Sequence, residues 1–185
     1  MKKRFLHTFF VLFVLLIARS GFSQTATKDS LLTSGIDTTI KVRPVNPKAD
    51  AIISYAKTFL GVPYRYGGTT PSGFDCSGFI NYIFGNFGFS LVRTSYGLAE
   101  LGETIKLSDI QPGDLMFFKG SNVNSTVVGH VAMVVEVTPS AIKFIHSANG
   151  GVRIDNFKTS EYYIRRYVKT KRLDYGGWFL NNASH

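Results

Sequence analysis

The hydrophobic pattern of this chain changes its period part-way along, and this change limits the folds that the chain can adopt. Residues 46–61 and 75–88 place apolar side chains three and four positions apart, as on one face of a helix. After residue 112 the apolar residues fall in short runs rich in β-branched and aromatic types, separated by Gly, Pro, Asn and Ser. Two helices followed by closely spaced strands, with no helix between the strands, indicate an antiparallel sheet and an α+β domain.

The same pattern predicts the bounds of the elements. We expect the first helix between Asn46 and Gly61, and the second from Asp75 to either Gly85 or Gly88, because capping residues and glycines stand at these ends. The five expected strands are 113–118, 129–137, 141–147, 151–156 and 162–168. The prediction is therefore N-terminal helices packed on one side of a five- to six-stranded antiparallel sheet.

The N-terminus has the layout of an export signal. A basic start, an apolar run from Phe9 to Ala18 and small residues near Ser23 are typical of a secretory signal peptide. The run is shorter than the ~20 residues that span a bilayer, so an uncleaved membrane anchor is the alternative interpretation. The expected organisation is a signal peptide at 1–23, a flexible linker at 24–45, a folded domain at 46–175 and a tail at 176–185. This predicts a secreted or periplasmic protein with no stable membrane anchor after cleavage.

The net charge of +9 is an uncertain guide to partners. Four of the basic residues lie in the predicted signal peptide and leave with it. A second basic group lies near the C-terminus, at Arg165, Arg166, Lys169, Lys171 and Arg172. No nucleic-acid-binding motif accompanies this group, so we interpret it as the solvated edge of a strand and expect no nucleic acid partner.

The only cysteine, Cys76, lies in the sequence GFDCSGF. A single cysteine in an exported chain has no internal disulfide partner, and a free thiol in an oxidising compartment requires an explanation. Cys76 falls in the first turn of the predicted second helix, where free backbone N–H groups favour a thiolate and are able to bind an oxyanion. We therefore expect a lowered thiol pKa and a nucleophile. The alternative is a small buried side chain packed under the helix.

Two histidines are available as a catalytic base. The sequence has four, of which His7 lies in the predicted signal peptide and His185 is the last residue. His130 begins one predicted strand and His146 lies near the end of the next, so an antiparallel hairpin brings both imidazoles to one end of the sheet. A nucleophile, a base and an orienting group are the elements of a catalytic triad. Polar residues at strand ends, or a zinc site that includes Cys76, are the alternatives; close-spaced ligand pairs are lacking, so no metal is expected.

Four segments in order resemble the successive signatures of the NlpC/P60 family of cysteine peptidases of bacterial cell walls. They are GVPYRYGGTTPSGFDCSGFI, PGDLMFF, GHVAMVV and IHSANGGVRI, and the resemblance extends over residues 49–168. It implies a papain-like α+β core and a hydrolase without a cofactor.

The resemblance also implies roles for individual residues. Cys76 corresponds to the nucleophile, His130 to the general base and His146 to the third, orienting member of a Cys-His-His triad. The residues that correspond to substrate contacts are Tyr66, Asp75 and Ser77. Asp75 is an acid that pairs readily with a free amino group of a peptide.

The family's usual substrate is the stem peptide of peptidoglycan, so peptidoglycan stem peptides or muropeptides are the expected partners. The bond implied is the one between γ-linked D-glutamate and the diamino acid, cleaved through a thioester acyl-enzyme. Two alternatives remain open: a non-catalytic wall-binding domain, and the same thiol chemistry on another amide or acyl substrate.

Overall fold

The computed structural model describes residues 46–176. The predicted signal peptide at 1–23, the linker at 24–45 and nearly all of the tail at 176–185 lie outside these residues, so these boundaries stay predictions. None of the helices between residues 46 and 176 has both the length and the apolar character needed to cross a bilayer.

The elements follow the expected order. The α-helices are α1 (Pro47–Lys57), α2 (Cys76–Gly85), α3 (Ser95–Leu98) and α4 (Glu161–Ile164), with short 3-10 helices at Leu107–Asp109 and Phe157–Thr159. The strands are β1 (Thr69–Thr70), β2 (Gly73–Phe74), β3 (Glu103–Ile105), β4 (Leu115–Lys119), β5 (Val128–Val137), β6 (Ile142–Ala148), β7 (Gly151–Asn156) and β8 (Tyr167–Arg172). As expected, α1 begins after Asn46, whose side chain accepts the Ala49 N–H at 3.1 Å.

Across residues 46–176, the main sheet has six strands in the order β3-β8-β4-β5-β6-β7, and all neighbours are antiparallel. Strands β1 and β2 form a separate small hairpin just before α2. Helices α1 and α2 lie on one face of the main sheet. The predicted α+β class, with N-terminal helices on an antiparallel sheet, is confirmed, and the arrangement is consistent with a papain-like core.

The central strands bury both of their faces. On β4, Phe117 packs with the helices, whereas Met116 and Phe118 point to the opposite face, and all three have no exposed surface. This opposite face is covered by Phe157 and Tyr163 from the segment before β8. Each fully buried side chain of this size stabilises the fold by about 1.5–3 kcal/mol, so the sheet is held rigidly from both sides.

Several details differ from the sequence prediction, among them β3 and the segment before β8. Strand β3 was not predicted, because three residues of mixed polarity carry no alternation signal. The predicted strand at 162–168 is wrong in its first half, where α4 forms and buries Tyr163 under the sheet. A short run of aromatic and branched residues fits a helix turn or a strand equally well, so packing decided its structure.

The interpretation of the basic group as a strand edge is also wrong. Strand β8 lies between β3 and β4 rather than at the edge of the sheet. Two of its cations pair with acids: Lys169 lies 2.9 Å from Glu100, and Arg172 lies 2.7 Å from the buried carboxylate of Asp114.

Candidate active site

The start of α2 is fixed by its own sequence. Asp75 is in an extended conformation, and its carboxylate accepts the backbone N–H of Gly78 at 2.6 Å, which makes Cys76 the first residue of the helix. Gly78 is required because a Cβ atom there would lie 2.0 Å from the carbonyl oxygen of Gly68. The loop that carries Gly68 therefore packs directly against the first turn of α2, and the position of the thiol is rigid.

The thiol of Cys76 is half-buried and lies against the first residues of β5. Its Sγ atom is 4.0 Å from the carbonyl oxygen of Gly129, and the backbone N–H of Val131 hydrogen-bonds to it. These two residues are the neighbours of His130 on either side. The expectation of a lowered thiol pKa is wrong for this structure: burial raises the pKa of Cys76, and the N–H groups of Val131 and Ser77 offset this only in part.

The two predicted histidines lie together. Nε2 of His130 is 2.9 Å from Nδ1 of His146, and the rings are nearly perpendicular, with centroids 5.0 Å apart. Strands β5 and β6 pair as the expected hairpin, with Met133 opposite Ile145. This register brings the start of β5 to the end of β6, so the interpretation from sequence is correct for this pair.

Aromatic side chains surround both imidazoles. Phe144 lies 5.1 Å and Tyr163 lies 5.4 Å from His146 between ring centroids, and the ring of Tyr163 is also roughly parallel to that of His130 at 6.3 Å. Burial lowers the pKa of both histidines, that of His130 to about 3, with repulsion between the two rings as a further cause for His130. Both imidazoles are therefore neutral at pH 7.

A carboxylate completes this group. Oδ2 of Asp155, on β7, lies 2.9 Å from Nε2 of His146 and 3.0 Å from Nε of Arg153. Nη2 of Arg153 in turn donates to the hydroxyl oxygen of Tyr163 at 3.2 Å. The hydrogen bond from His146 is the main cause that lowers the pKa of Asp155 to about 2, so this carboxylate is ionised at neutral pH.

Sequence reasoning missed Asp155 and Arg153, although a signal was present. In GVRIDN these residues alternate on β7 and so point to the same face. The register pairs Arg153 directly with His146, which places the side chains of Arg153 and His146 on one face of the sheet. The 149–151 turn fixes this register, and reading it in advance would have identified the carboxylate.

A cleft of about 420 Å³ lies on the open side of Cys76. All three predicted substrate-contact residues line it; the lining residues are Tyr64, Tyr66, Gly67, Asp75, Cys76, Ser77, Arg93, Thr94, Ser95, Tyr96 and Gly129. Tyr66 is 92% exposed and forms part of the rim, whereas Tyr64 is more enclosed, at 37%. Burial raises the pKa of Tyr64, and the negative charge of a Cys76 thiolate is the next cause.

Asp75 has a partner that the sequence did not suggest. Arg93 binds it with both guanidinium arms, Nη2 to Oδ2 at 2.5 Å and Nη1 to Oδ1 at 3.0 Å, and Nη1 also donates to Oγ of Ser77 at 2.7 Å. The Arg93 side chain is 43% exposed. In this structure Asp75 is thus occupied as a helix cap and as an arginine partner, and Arg93 carries the positive charge at this side of the cleft.

Within residues 46–176, no group of three or more His, Cys, Asp or Glu side chains is arranged to hold a metal ion. The alternative of a zinc site from the cysteine and both histidines therefore gains no support from geometry. What the described residues bring together is a thiol, a chain of two imidazoles and a carboxylate, beside an open cleft.

Comparison with known proteins agrees with this arrangement. The model of the NlpC/P60 family matches residues 61–172, more than half of the chain. Gamma-DL-glutamyl hydrolase of Bacillus subtilis is 34% identical over 140 residues, which cover 75% of this chain and 33% of that protein. The Escherichia coli protein named murein DD-endopeptidase MepS/murein LD-carboxypeptidase is 31% identical over 133 residues, 71% of this chain and 66% of its own length.

A solved structure of an NlpC/P60 family protein from Bacillus cereus superposes with a TM-score of 0.60 at 34% identity, covering 69% of this chain and 41% of that one. The chain thus spans only part of the length of these relatives. Because the family model matches more than half of the chain, the chain belongs to the NlpC/P60 family.

Proposed function

We propose that this chain is a cysteine peptidase that hydrolyses an amide bond in peptidoglycan stem peptides, between γ-linked D-glutamate and the diamino acid. The supporting observation is that one thiol lies at a helix start, next to the backbone of the two neighbours of His130. The ring of His130 is in turn hydrogen-bonded to His146. Relatives named as a glutamyl hydrolase and a murein endopeptidase support the substrate class.

In the proposed mechanism Cys76 is the nucleophile and His130 the general base. Because burial raises the pKa of the thiol and lowers that of the imidazole, both groups start neutral. The thiol proton passes to His130 as the sulfur attacks the carbonyl carbon, and the backbone N–H groups at the start of α2 receive the oxyanion. Proton transfer by a positioned side chain contributes about 10²- to 10⁴-fold to the rate.

The tetrahedral intermediate then collapses. The C–N bond breaks, the leaving amine takes the proton from His130, and a thioester remains on Cys76. Water, deprotonated by His130, attacks the thioester, and the product carboxylate leaves as the thiol is restored. His146 orients the His130 ring through its hydrogen bond at 2.9 Å.

Substrate binding is proposed for the open cleft. Tyr66 walls the rim, and the Asp75, Ser77 and Arg93 group offers a carboxylate and a guanidinium to the polar ends of a peptide. The exposed surface of Arg93 makes it the side chain at this end with most freedom to meet a carboxylate of the stem.

We also propose that the protein acts in the cell envelope, on the basis of the basic start and apolar run of residues 1–23. N-terminal sequencing of the protein recovered from its native host tests this proposal. A mature N-terminus near residue 24 in an envelope or extracellular fraction supports it, and an intact N-terminus in the cytoplasm contradicts it.

Mass spectrometry of products from defined muropeptides tests the activity directly. We expect fragments cut after γ-D-glutamate, and none with Cys76→Ala as the matched control. Muropeptide binding with no cleavage by the reduced wild-type protein would favour the wall-binding alternative. Cleavage at another bond would correct the specificity and keep the thiol mechanism.

A further inference from the structure

Asp155 lies at the end of a continuous chain of hydrogen bonds that runs through both imidazoles. The carboxylate meets Nε2 of His146 at 2.9 Å, and Nδ1 of His146 meets Nε2 of His130 at 2.9 Å. His146 has no exposed surface, so water does not compete for either of its nitrogens. Each bond in such a chain needs one donor and one acceptor.

This requirement fixes where the protons are. An ionised carboxylate only accepts hydrogen bonds, so Nε2 of His146 carries a proton and donates it to Asp155. A neutral imidazole has one protonated nitrogen, so Nδ1 of His146 carries a lone pair and accepts. Nε2 of His130 is then the donor, and Nδ1 of His130 is left with a lone pair.

We propose that Asp155 is a positioning residue that sets the tautomers of both histidines and thereby keeps Nδ1 of His130 unprotonated and ready to take the proton of Cys76. This proposal rests on the proposed function, in which His130 is the base. In the opposite tautomer of His130, the nitrogen that is not bonded to His146 would carry a proton and have no lone pair to accept the thiol proton.

The surroundings of Asp155 suit this role. Arg153 donates to the same oxygen, Oδ2, at 3.0 Å, and it also donates to the backbone oxygen of Asn149 and to Tyr163, which packs on His146. The carboxylate is thus held from one side by an arginine and faces the imidazole on the other. The titratable and charged groups packed around the imidazole pair are Asp155, Arg153 and Tyr163, with Cys76 next to the backbone on either side of His130.

A purely structural role is the competing explanation, because Asp155 also forms an ion pair with Arg153. Two variants separate the roles. Asp155→Asn removes the obligate acceptor of His146, since an amide presents either a donor or an acceptor to Nε2. Arg153→Gln breaks the same ion pair but keeps the carboxylate on His146.

The direct measurement is a long-range ¹H–¹⁵N spectrum of the imidazoles of the full chain near pH 7, assigned by replacing each histidine in turn. In the wild type we expect both His130 and His146 to carry their proton on Nε2. We expect Arg153→Gln to keep this pattern and Asp155→Asn to show mixed tautomers. A proton on Nδ1 of either ring in the wild type overturns the proposal, and this result needs neither Asp155→Asn nor Arg153→Gln to fold.

Kinetics give a second readout. With Asp155→Asn we expect kcat to fall about 10- to 100-fold, by analogy with carboxylates that orient a metal-ligating imidazole, with KM nearly unchanged. The acid limb of kcat/KM should move to lower pH, because loss of a nearby anion disfavours the imidazolium. Glu136→Gln, which removes an exposed carboxylate paired with Lys143 at the far end of β5, is the control and should leave kcat unchanged.

The outcomes separate this inference from the proposed function. Wild-type turnover combined with equal kcat in Asp155→Asn and Glu136→Gln overturns the role of Asp155 alone. If the wild-type protein turns over no muropeptide, the proposed function is overturned. The inference about the tautomers is then still tested by the ¹H–¹⁵N spectrum. Equal losses of kcat in Asp155→Asn and Arg153→Gln, with unchanged tautomers in both, identify a structural ion pair and overturn the inference.

Discussion

The two sides of the candidate site are built in contrasting ways. Cys76 lies on the rim of an open cleft, at a helix start that Asp75 and Gly78 define within three residues. His146 has no exposed surface and takes its partners from β5 and β7. The thiol side is thus local in sequence and open to substrate, whereas the imidazole side is assembled from distant strands and closed to water. In the proposed mechanism, reactivity and access belong to the first side, and orientation to the second.

Removing the thiol from the open side should reduce turnover more than any other single substitution. With Cys76→Ala we expect product release from muropeptides to fall at least about 10⁴-fold, because loss of a nucleophile removes the covalent route. The free energy of unfolding should change by less than about 1 kcal/mol, since only one half-buried sulfur is lost. Product quantification and a denaturant titration check both parts; residual turnover above a hundredth of the wild type would contradict the nucleophilic role.

Removing the buried imidazole should damage both activity and stability. His146→Ala leaves a cavity and deprives Nε2 of His130 and the carboxylate of Asp155 of their partner. We expect kcat to fall about 10²-fold or more and the free energy of unfolding to fall by about 3 kcal/mol. Denaturant titrations of His146→Ala and Cys76→Ala are the matched pair, and equal stability of the two variants would show that the contrast between the sides is wrong.

A substitution at Arg93 tests whether the open side of the site binds the substrate. Arg93→Gln removes both arms that hold Asp75, while the cap from Asp75 to Gly78 remains. Because the Arg93 side chain is 43% exposed, the loss of stability should stay below about 1 kcal/mol. The lost positive charge at the cleft should raise KM up to about tenfold for an anionic stem peptide.

Steady-state kinetics on one muropeptide measure this effect. Lys169→Gln is the control, because it removes a partly buried cation paired with the exposed Glu100, outside the residues that line the cleft. A KM that is unchanged in Arg93→Gln, or raised equally in the control, argues against substrate binding at Arg93.

The smallest expected effect concerns the state of the thiol before substrate binds. Burial raises the pKa of Cys76 above its ordinary value of 9.0, so the thiolate fraction at pH 7 is lower than that of free cysteine. We therefore expect iodoacetamide to alkylate Cys76 more slowly than free cysteine at pH 7, with a rate that still rises above pH 9. A rate that levels off below pH 8 would indicate a thiolate–imidazolium pair in the resting protein instead.

Sequence reasoning succeeded where the interacting residues are close along the chain. Asp75 and Cys76 could be interpreted in advance because a capping residue and the helix start that follows it are adjacent in the sequence. The His130–His146 pair was also predictable, since one short turn joins their strands. Arg93 and Asp155 were missed because each lies outside the local sequence motif that contains its hydrogen-bond partner.

The sequence alone therefore determined that the chain has helices followed by an antiparallel sheet, and that one thiol and two imidazoles stand at the ends of these elements. Only the tertiary structure decided that Asp155 sets the far end of the imidazole chain, that Arg93 occupies Asp75, and that burial raises the thiol pKa. The physical reason is the distance along the chain over which each interaction acts. Caps and alternation act over a few residues, whereas partners and desolvation depend on strand register and on the side chains that distant segments pack around a site.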